Sequence, residues 1–136
     1  MGVFDHFHCQ MKLPEEFYMF IKDNPRFYEF NFYEETYQTK SISGGSLDTY
    51  KLDDNGQLYV YDPPQYVKSI YSGLINFYTL IYNETEEIEG GFKVLSSLWI
   101  EFNTLIDRGK SSWIEVENLK YNVAEKGREK IIYQRS

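Results

Sequence analysis

The sequence predicts a mainly β domain: a single antiparallel sheet folded into a sandwich or barrel, with one short helix near residues 14–23. Three observations carry that expectation. Apolar and polar residues alternate over several segments. Tight turns rich in Gly, Asn and Asp separate those segments. Aromatic residues, which favour strands, make up 18% of the chain, with 13 Tyr and 10 Phe. The 136 residues amount to one domain, 1–136, since a domain typically holds roughly 150 residues. A chain of that length buries roughly two-thirds of its unfolded surface and needs no covalent staple.

Taken in order, Val3 to Cys9 reads as a first strand. Pro14 suits the first turn of a helix, where its missing N–H costs nothing, and Glu15 and Glu16 suit the positive end. Phe17, Phe20 and Ile21 then fall on one face, and Asn24-Pro25 ends the helix. Residues 26–36 alternate Phe30 and Phe32 with Glu29 and Asn31, which favours a strand or an extended arm.

The strongest hairpin signal surrounds Asp54-Asn55-Gly56, where Asn and Gly tolerate positive φ. A type I turn with Gly56 as the left-handed bulge residue sets Leu52 opposite Leu58 and Tyr50 opposite Val60. A two-residue loop at Asn55-Gly56 pairs Leu52 with Tyr59 instead. Gly44-Gly45 precedes Leu47 on the approach to this hairpin, and Pro63-Pro64 closes it, because neither proline donates to a ladder.

Gly73 to Tyr82 is a long strand, apolar on both faces, and reads as central and covered. Glu84 to Gly91 reads as an acidic loop. Residues 92–106 form the next strand, Asp107-Arg108-Gly109-Lys110 a tight turn, and Trp113 to Glu117 the return strand. Lys126-Gly127 is a further turn before a last strand, Ile131 to Tyr133.

Short motifs recur in a recognisable order. They are Met1-Gly2-Val3-Phe4-Asp5, Leu13-Pro14, Tyr37-Gln38-Thr39-Lys40-Ser41-Ile42, Leu47-Asp48-Thr49-Tyr50, Asn55-Gly56-Gln57-Leu58, Phe77-Tyr78 and Trp99-Ile100-Glu101-Phe102. In that order the chain resembles a group of small proteins encoded by tailed phages and prophages. Those proteins carry Met-Gly-Met-Phe-Asp, aromatic-Gln-Thr-Lys-Asp-Leu and Asp-Gly-x-Leu motifs. The resemblance spans residues 1–102 in pieces. Val3, Ser41-Ile42 and the aromatic insert at 26–36 depart from it. It implies a phage-type accessory protein acting in the cytoplasm of a bacterial host, and it transfers no catalytic residue.

Charge narrows the function classes. The net charge is -7; residues 1–107 hold 17 acids and 7 bases, giving -10, and residues 108–136 hold 4 acids and 7 bases, giving +3. An acidic body repels phosphate, so duplex DNA is not an expected partner. In the tail, Lys126, Arg128 and Lys130 alternate with Glu125 and Glu129, as on a solvated charged edge. Cys9 is the single cysteine, which excludes an internal disulfide and fits a reducing compartment. No apolar run reaches the roughly 20 residues that span a bilayer, and the N-terminus lacks the pattern of a signal peptide. Asn83-Glu84-Thr85 spells a glycosylation acceptor, read here as chance.

Candidate chemistry is sparse. Asp5, His6, His8 and Cys9 are metal-competent, but a strand turns His6 and His8 to one face and Cys9 to the other, so neither a metal nor any cofactor is expected. Gly109-Lys110-Ser111 lacks the upstream glycine of a phosphate loop. No nucleophile–histidine–carboxylate arrangement is legible. Glu101, on an aromatic strand with Trp99, is the most interesting carboxylate. Glu84, Glu86, Glu87 and Glu89 lack the ladder of a calcium loop; spaced carboxylates can imitate DNA phosphates, although a solvated loop is the ordinary reading.

The expected function is non-enzymatic: an accessory protein that binds and modulates or inhibits a host protein, as in counter-defence. Tyr59, Tyr61, Trp99, Glu101, Trp113, Glu84, Glu86 and Glu87 are the candidate binding residues, aromatic anchors with an acidic rim. The alternative is a β module holding a nucleotide or sugar in an aromatic-lined pocket of a barrel. A hydrolase using Asp48 and Glu101 is the third class.

Overall fold

The computed structural model describes residues 4–42 and 48–134. Val3, Gly44-Gly45 and Leu47 lie outside the described residues. The elements are β1 (Asp5–Cys9), α1 (Glu15–Lys22), a 3-10 turn (Pro25–Phe27), β2 (Tyr37–Thr39), β3 (Thr49–Leu52), β4 (Leu58–Asp62), β5 (Gln65–Lys68), β6 (Gly73–Ile88), β7 (Gly91–Asp107), β8 (Lys110–Val123) and β9 (Lys130–Tyr133). They form one sheet in the order β5-β4-β3-β1-β2-β6-β7-β8, with β9 also on β7.

The β3–β4 hairpin has the register of the type I reading: Leu52 opposes Leu58 and Tyr50 opposes Val60. Gly56 takes φ +85. The Asp53 carboxylate organises the turn, accepting from the backbone N–H of Asn55 at 2.9 Å and of Gln57 at 2.8 Å. Pro63-Pro64 does not end the sheet. It is the cis turn of a second hairpin, with Asp62 opposite Gln65.

One pairing departs from the antiparallel expectation. β1 and β3 run parallel, with Phe7 opposite Tyr50 and Cys9 opposite Leu52. A parallel pair needs a long crossover, and the segment carrying α1 and β2 supplies it.

The sheet curls without closing into a barrel. Six places separate β4 from β8 along the strand order, with β3, β1, β2, β6 and β7 between them, yet the turns at their ends touch. Leu58 N–H donates to the Gly109 carbonyl at 2.7 Å and Ser111 N–H to the Gly56 carbonyl at 2.7 Å. The face inside the curl is the core: Phe7, Tyr37, Leu52, Leu58, Phe77 and Phe102 are all fully buried.

α1 plugs the open side of that core. Phe17 meets Phe102 edge-on at 5.3 Å and Phe32 at 4.8 Å. Residues 26–36 are neither strand nor extended arm. Pro25 starts the 3-10 turn, the Asn31 side chain accepts from Tyr33 N–H at 3.0 Å, and the resulting turns drive Phe27 and Phe32 inward.

Two further expectations change. β6 is covered on one face only: Ile75 and Phe77 are buried, while Leu74, Leu80 and Tyr82 are exposed. Glu84 to Ile88 is not a loop but the outer end of β6, paired with β7 as far as Ile88 opposite Gly91. Beyond Val123 the chain turns through Lys126-Gly127 and rejoins the same strand, β7, as β9. No helix among the described residues is long and apolar enough to cross a membrane.

Candidate functional site

The outer face of β6, β7 and β8 follows from register. Successive side chains on a strand point to opposite faces, so the partners of the buried Phe77–Phe102 row set the rows outside it. Leu74 lies beside Leu105; Asn76 beside Asn103 and Glu115; Tyr78 beside Glu101 and Asn118; Leu80 beside Trp99 and Lys120. Two register shifts in β8 add to this surface. One leaves Glu117 as an extra residue between Val116 and Asn118; the other sets Ser112 and Trp113 against Leu105.

A hydrogen-bonded chain runs across the middle of the face. Trp99 Nε1 donates to Glu101 Oε1 at 3.0 Å, and Asn76 Nδ2 to Glu101 Oε2 at 2.8 Å. Asn76 Nδ2 also reaches Asn103 Oδ1 at 2.9 Å, and Asn103 Nδ2 donates to Glu117 Oε2 at 2.6 Å. Asn76 is itself anchored: Thr39 Oγ1 donates to its carbonyl at 2.6 Å, and its N–H donates to Ser41 Oγ at 3.0 Å. Each Glu101 oxygen thus accepts one N–H and keeps a lone pair free.

Tyr78 and Trp99 stack beside this carboxylate, with ring centroids 5.3 Å apart and planes 25° from parallel. Burial raises the Tyr78 phenol above its ordinary pKa, and the charge of Glu101 raises it further. Among the described residues Glu101, Glu115 and Glu117 have no ion-pair partner; the two ion pairs join Arg108 to Asp107 and Arg128 to Glu125. At the two ends of the rows the face is apolar and open: Leu74 is 54% exposed, Leu105 48%, Leu80 40% and Trp113 39%.

The arrangement is a fixed carboxylate with stacked rings and an apolar frame. It can receive a cationic or N–H donor group whose surroundings are apolar. Asp48, the expected carboxylate partner of Glu101 in a hydrolase, is not part of it. Asp48 precedes β3, four strand steps from β7, which at about 4.8 Å each is roughly 19 Å from Glu101.

The other candidates fall elsewhere. Tyr59 and Tyr61 share the outer face but lie on β4, at the far side of the strand order. Glu84, Glu86 and Glu87 stand on the β6–β7 ribbon opposite Ser96, Lys93 and Phe92, so Glu87 points away from the side that Glu86 occupies, and they form no single-sided row of charges. His6 and His8 point outward while Asp5 and Cys9 are buried, and no group of three metal-competent side chains exists among the described residues. Gly109-Lys110-Ser111 is a hairpin turn leading into β8.

The sheet does not close into the barrel that an aromatic-lined pocket is expected to occupy. A cleft of about 360 Å³ lined with aromatic residues lies between α1 and residues 27–33 and includes none of the candidates. Asn76, Asn103 and Glu117 carry no motif; their signal is alternation on strands whose partners must be known first. Comparison with protein-family models, curated proteins and solved structures returns no match.

Proposed function

We propose that this chain is a non-enzymatic, phage-type accessory protein of the bacterial cytoplasm whose outer β6–β8 face docks on a host protein and modulates or inhibits it. The carrying observation is Glu101, held by Trp99 and Asn76 at the centre of an exposed apolar frame. The complementary partner surface presents a Lys or Arg surrounded by apolar side chains.

Physical reasons support an interface here. Large exposed apolar patches mark interaction sites on proteins. Ordering a side chain on binding costs about 0.5–1.5 kcal/mol, and the carboxylate, both amides and the indole are already held. Tryptophan is among the residues that dominate interface energies, at about 2 kcal/mol or more when truncated.

The test is capture from bacterial lysate with four forms: wild type, Trp99→Ala, Glu101→Lys and Glu84→Lys, the last a charge change on the distant ribbon. One host protein retained by wild type and by Glu84→Lys, and weakened about 30-fold or more in the other two, is the expected result. Equal retention by all four, or by none, contradicts the proposal.

A further inference from the structure

A second cluster occupies the other half of the same outer face. Register places His8 beside Lys51, Lys51 beside Tyr59, and Tyr59 beside Lys68, one continuous row across β1, β3, β4 and β5. The adjoining row pairs Tyr61 with Tyr66, ring centroids 5.1 Å apart. Lys51 Nζ sits 4.4 Å from the Tyr66 ring centroid and 5.3 Å from that of Tyr59. In a chain of net charge -7 this row bears two lysines and a histidine with no acid among them.

Lys51 and Lys68 carry the positive charge of the row. Neither has an ion-pair partner among the described residues. The nearest acid is Asp53, whose charge helps raise the Tyr59 phenol and whose Oδ1 accepts the turn N–H groups of Asn55 and Gln57. Lys51 is half-buried and held by two rings, so its charge is fixed rather than free to drift into solvent. Opposite, His8 is half-buried; burial lowers its pKa, and the charges of His6 and Lys51 lower it further.

We infer that the His8–Lys51–Tyr59–Lys68 row, with Tyr61 and Tyr66, binds a nucleotide, a phosphate joined through a sugar to an aromatic base. The lysines and His8 take the phosphate oxygens, and the exposed Tyr61, backed by Tyr66, offers a ring face for a base to stack on. The ligand is a free nucleotide or a nucleotide of a single strand; a duplex hides its base faces. This site lies apart from Glu101 and Trp99, and the inference does not depend on the docking proposed there.

The groups facing His8 are His6, Lys51 and, further along the row, Lys68, Tyr59 and Asp53. A phosphate at the row adds negative charge and moves the His8 pKa upward. The chain has only two histidines, so proton NMR follows each directly. The experiment titrates the protein with AMP, adenosine, inorganic phosphate and a ten-residue oligothymidylate, reading His8, His6 and the tyrosine rings. Saturable AMP binding with a raised His8 pKa is expected. Adenosine and phosphate alone should each bind at least about tenfold more weakly. Lys51→Gln and Lys68→Gln should each weaken AMP about tenfold or more, with the fold intact because both side chains reach solvent, while Trp99→Ala leaves AMP binding unchanged.

Oligothymidylate binding tighter than AMP assigns the site to a single strand, and the reverse order to a free nucleotide; both support the inference. No saturable change at His8 with millimolar AMP or oligonucleotide overturns it. So does phosphate binding as well as AMP, or affinity unaffected by both lysine variants. Loss of host-protein capture with intact AMP binding refutes the docking proposal alone, and the converse refutes this one alone.

Discussion

Gly56 accepts a hydrogen bond from the Ser111 N–H at 2.7 Å, and a Cβ added to Gly56 would overlap the Ser111 carbonyl oxygen. Two hairpin turns, distant in the strand order, therefore meet backbone to backbone. The absence of a side chain at Gly56 permits both its left-handed φ and this approach. The contact fixes the curl of the sheet, and the curl is what presents one face inward as core and the other outward as a binding surface.

Gly56→Ala should destabilise the protein by more than about 2 kcal/mol, combining the cost of a left-handed Cβ with overlap against backbone. Gly127 is the internal comparison: it also has positive φ, +87, but nothing lies within 4 Å of its added Cβ. Gly127→Ala should cost only about 1–2 kcal/mol. Denaturant unfolding of both variants checks this, and equal losses would show that the clasp at Ser111 contributes nothing.

Stability should fall steeply in alkali. Burial pushes the Cys9 thiol from its ordinary 9.0 up to about 12. Burial likewise raises the Tyr37 phenol, the neighbouring Cys9 charge adding to it, and that hydroxyl donates to the Phe32 carbonyl at 3.0 Å. Above about pH 9 the unfolded chain holds fewer protons than the fold, so stability present at neutral pH is lost as pH rises toward about 12. Cys9→Ala should flatten the slope in that window without abolishing it, since Tyr37 remains. Urea unfolding at successive pH values reads the slope; an unchanged slope in the variant contradicts the assignment to Cys9.

Glu101→Gln should lower the Tyr78 pKa while leaving it above the ordinary phenol value, because burial is the larger cause and the charge of Glu101 the smaller. Ultraviolet difference titration against a Tyr78→Phe reference isolates the phenol. No change on removing the charge would mean that Glu101 does not face Tyr78 as described.

Asn76→Ala should destabilise by about 1–3 kcal/mol, since it strips one donor from Glu101 and one from Asn103 on a half-covered surface. It should also release the Trp99 indole from its fixed partner geometry, broadening the Trp99 side-chain resonance. A sharp, unmoved resonance would show that the amide does not organise the face.

The sequence revealed structure wherever the chain's neighbours in space were also its neighbours in order. Asn55-Gly56 announces its hairpin, and Leu52 meets Leu58 as that turn requires. The parallel pairing of Phe7 with Tyr50 joins segments more than forty residues apart, which no local pattern encodes. Phe30 and Phe32 alternate with Glu29 and Asn31 as a strand would, but Pro25 and the Asn31 side chain favour turns, and the core offered those rings a gap to fill. Glu84 to Ile88 lacks a buried face, so a free-standing ribbon reads as a loop. Trp99 and Glu101 were recognisable because they share a strand face two residues apart. Asn76, Asn103, Lys51 and Tyr66 join their sites only through registers that the strand order sets.

The docking claim is tested most directly by ¹⁹F NMR of protein labelled with 5-fluorotryptophan. The only two tryptophans, Trp99 and Trp113, both lie on the outer β6–β8 face, so the spectrum contains nothing but reporters of that surface. Adding bacterial lysate should shift and broaden the Trp99 resonance, identically in Glu84→Lys, and Glu101→Lys should abolish the effect. A Trp99 resonance that stays sharp and unmoved in lysate, or that responds equally in Glu101→Lys, would contradict the assignment of this face as the interface.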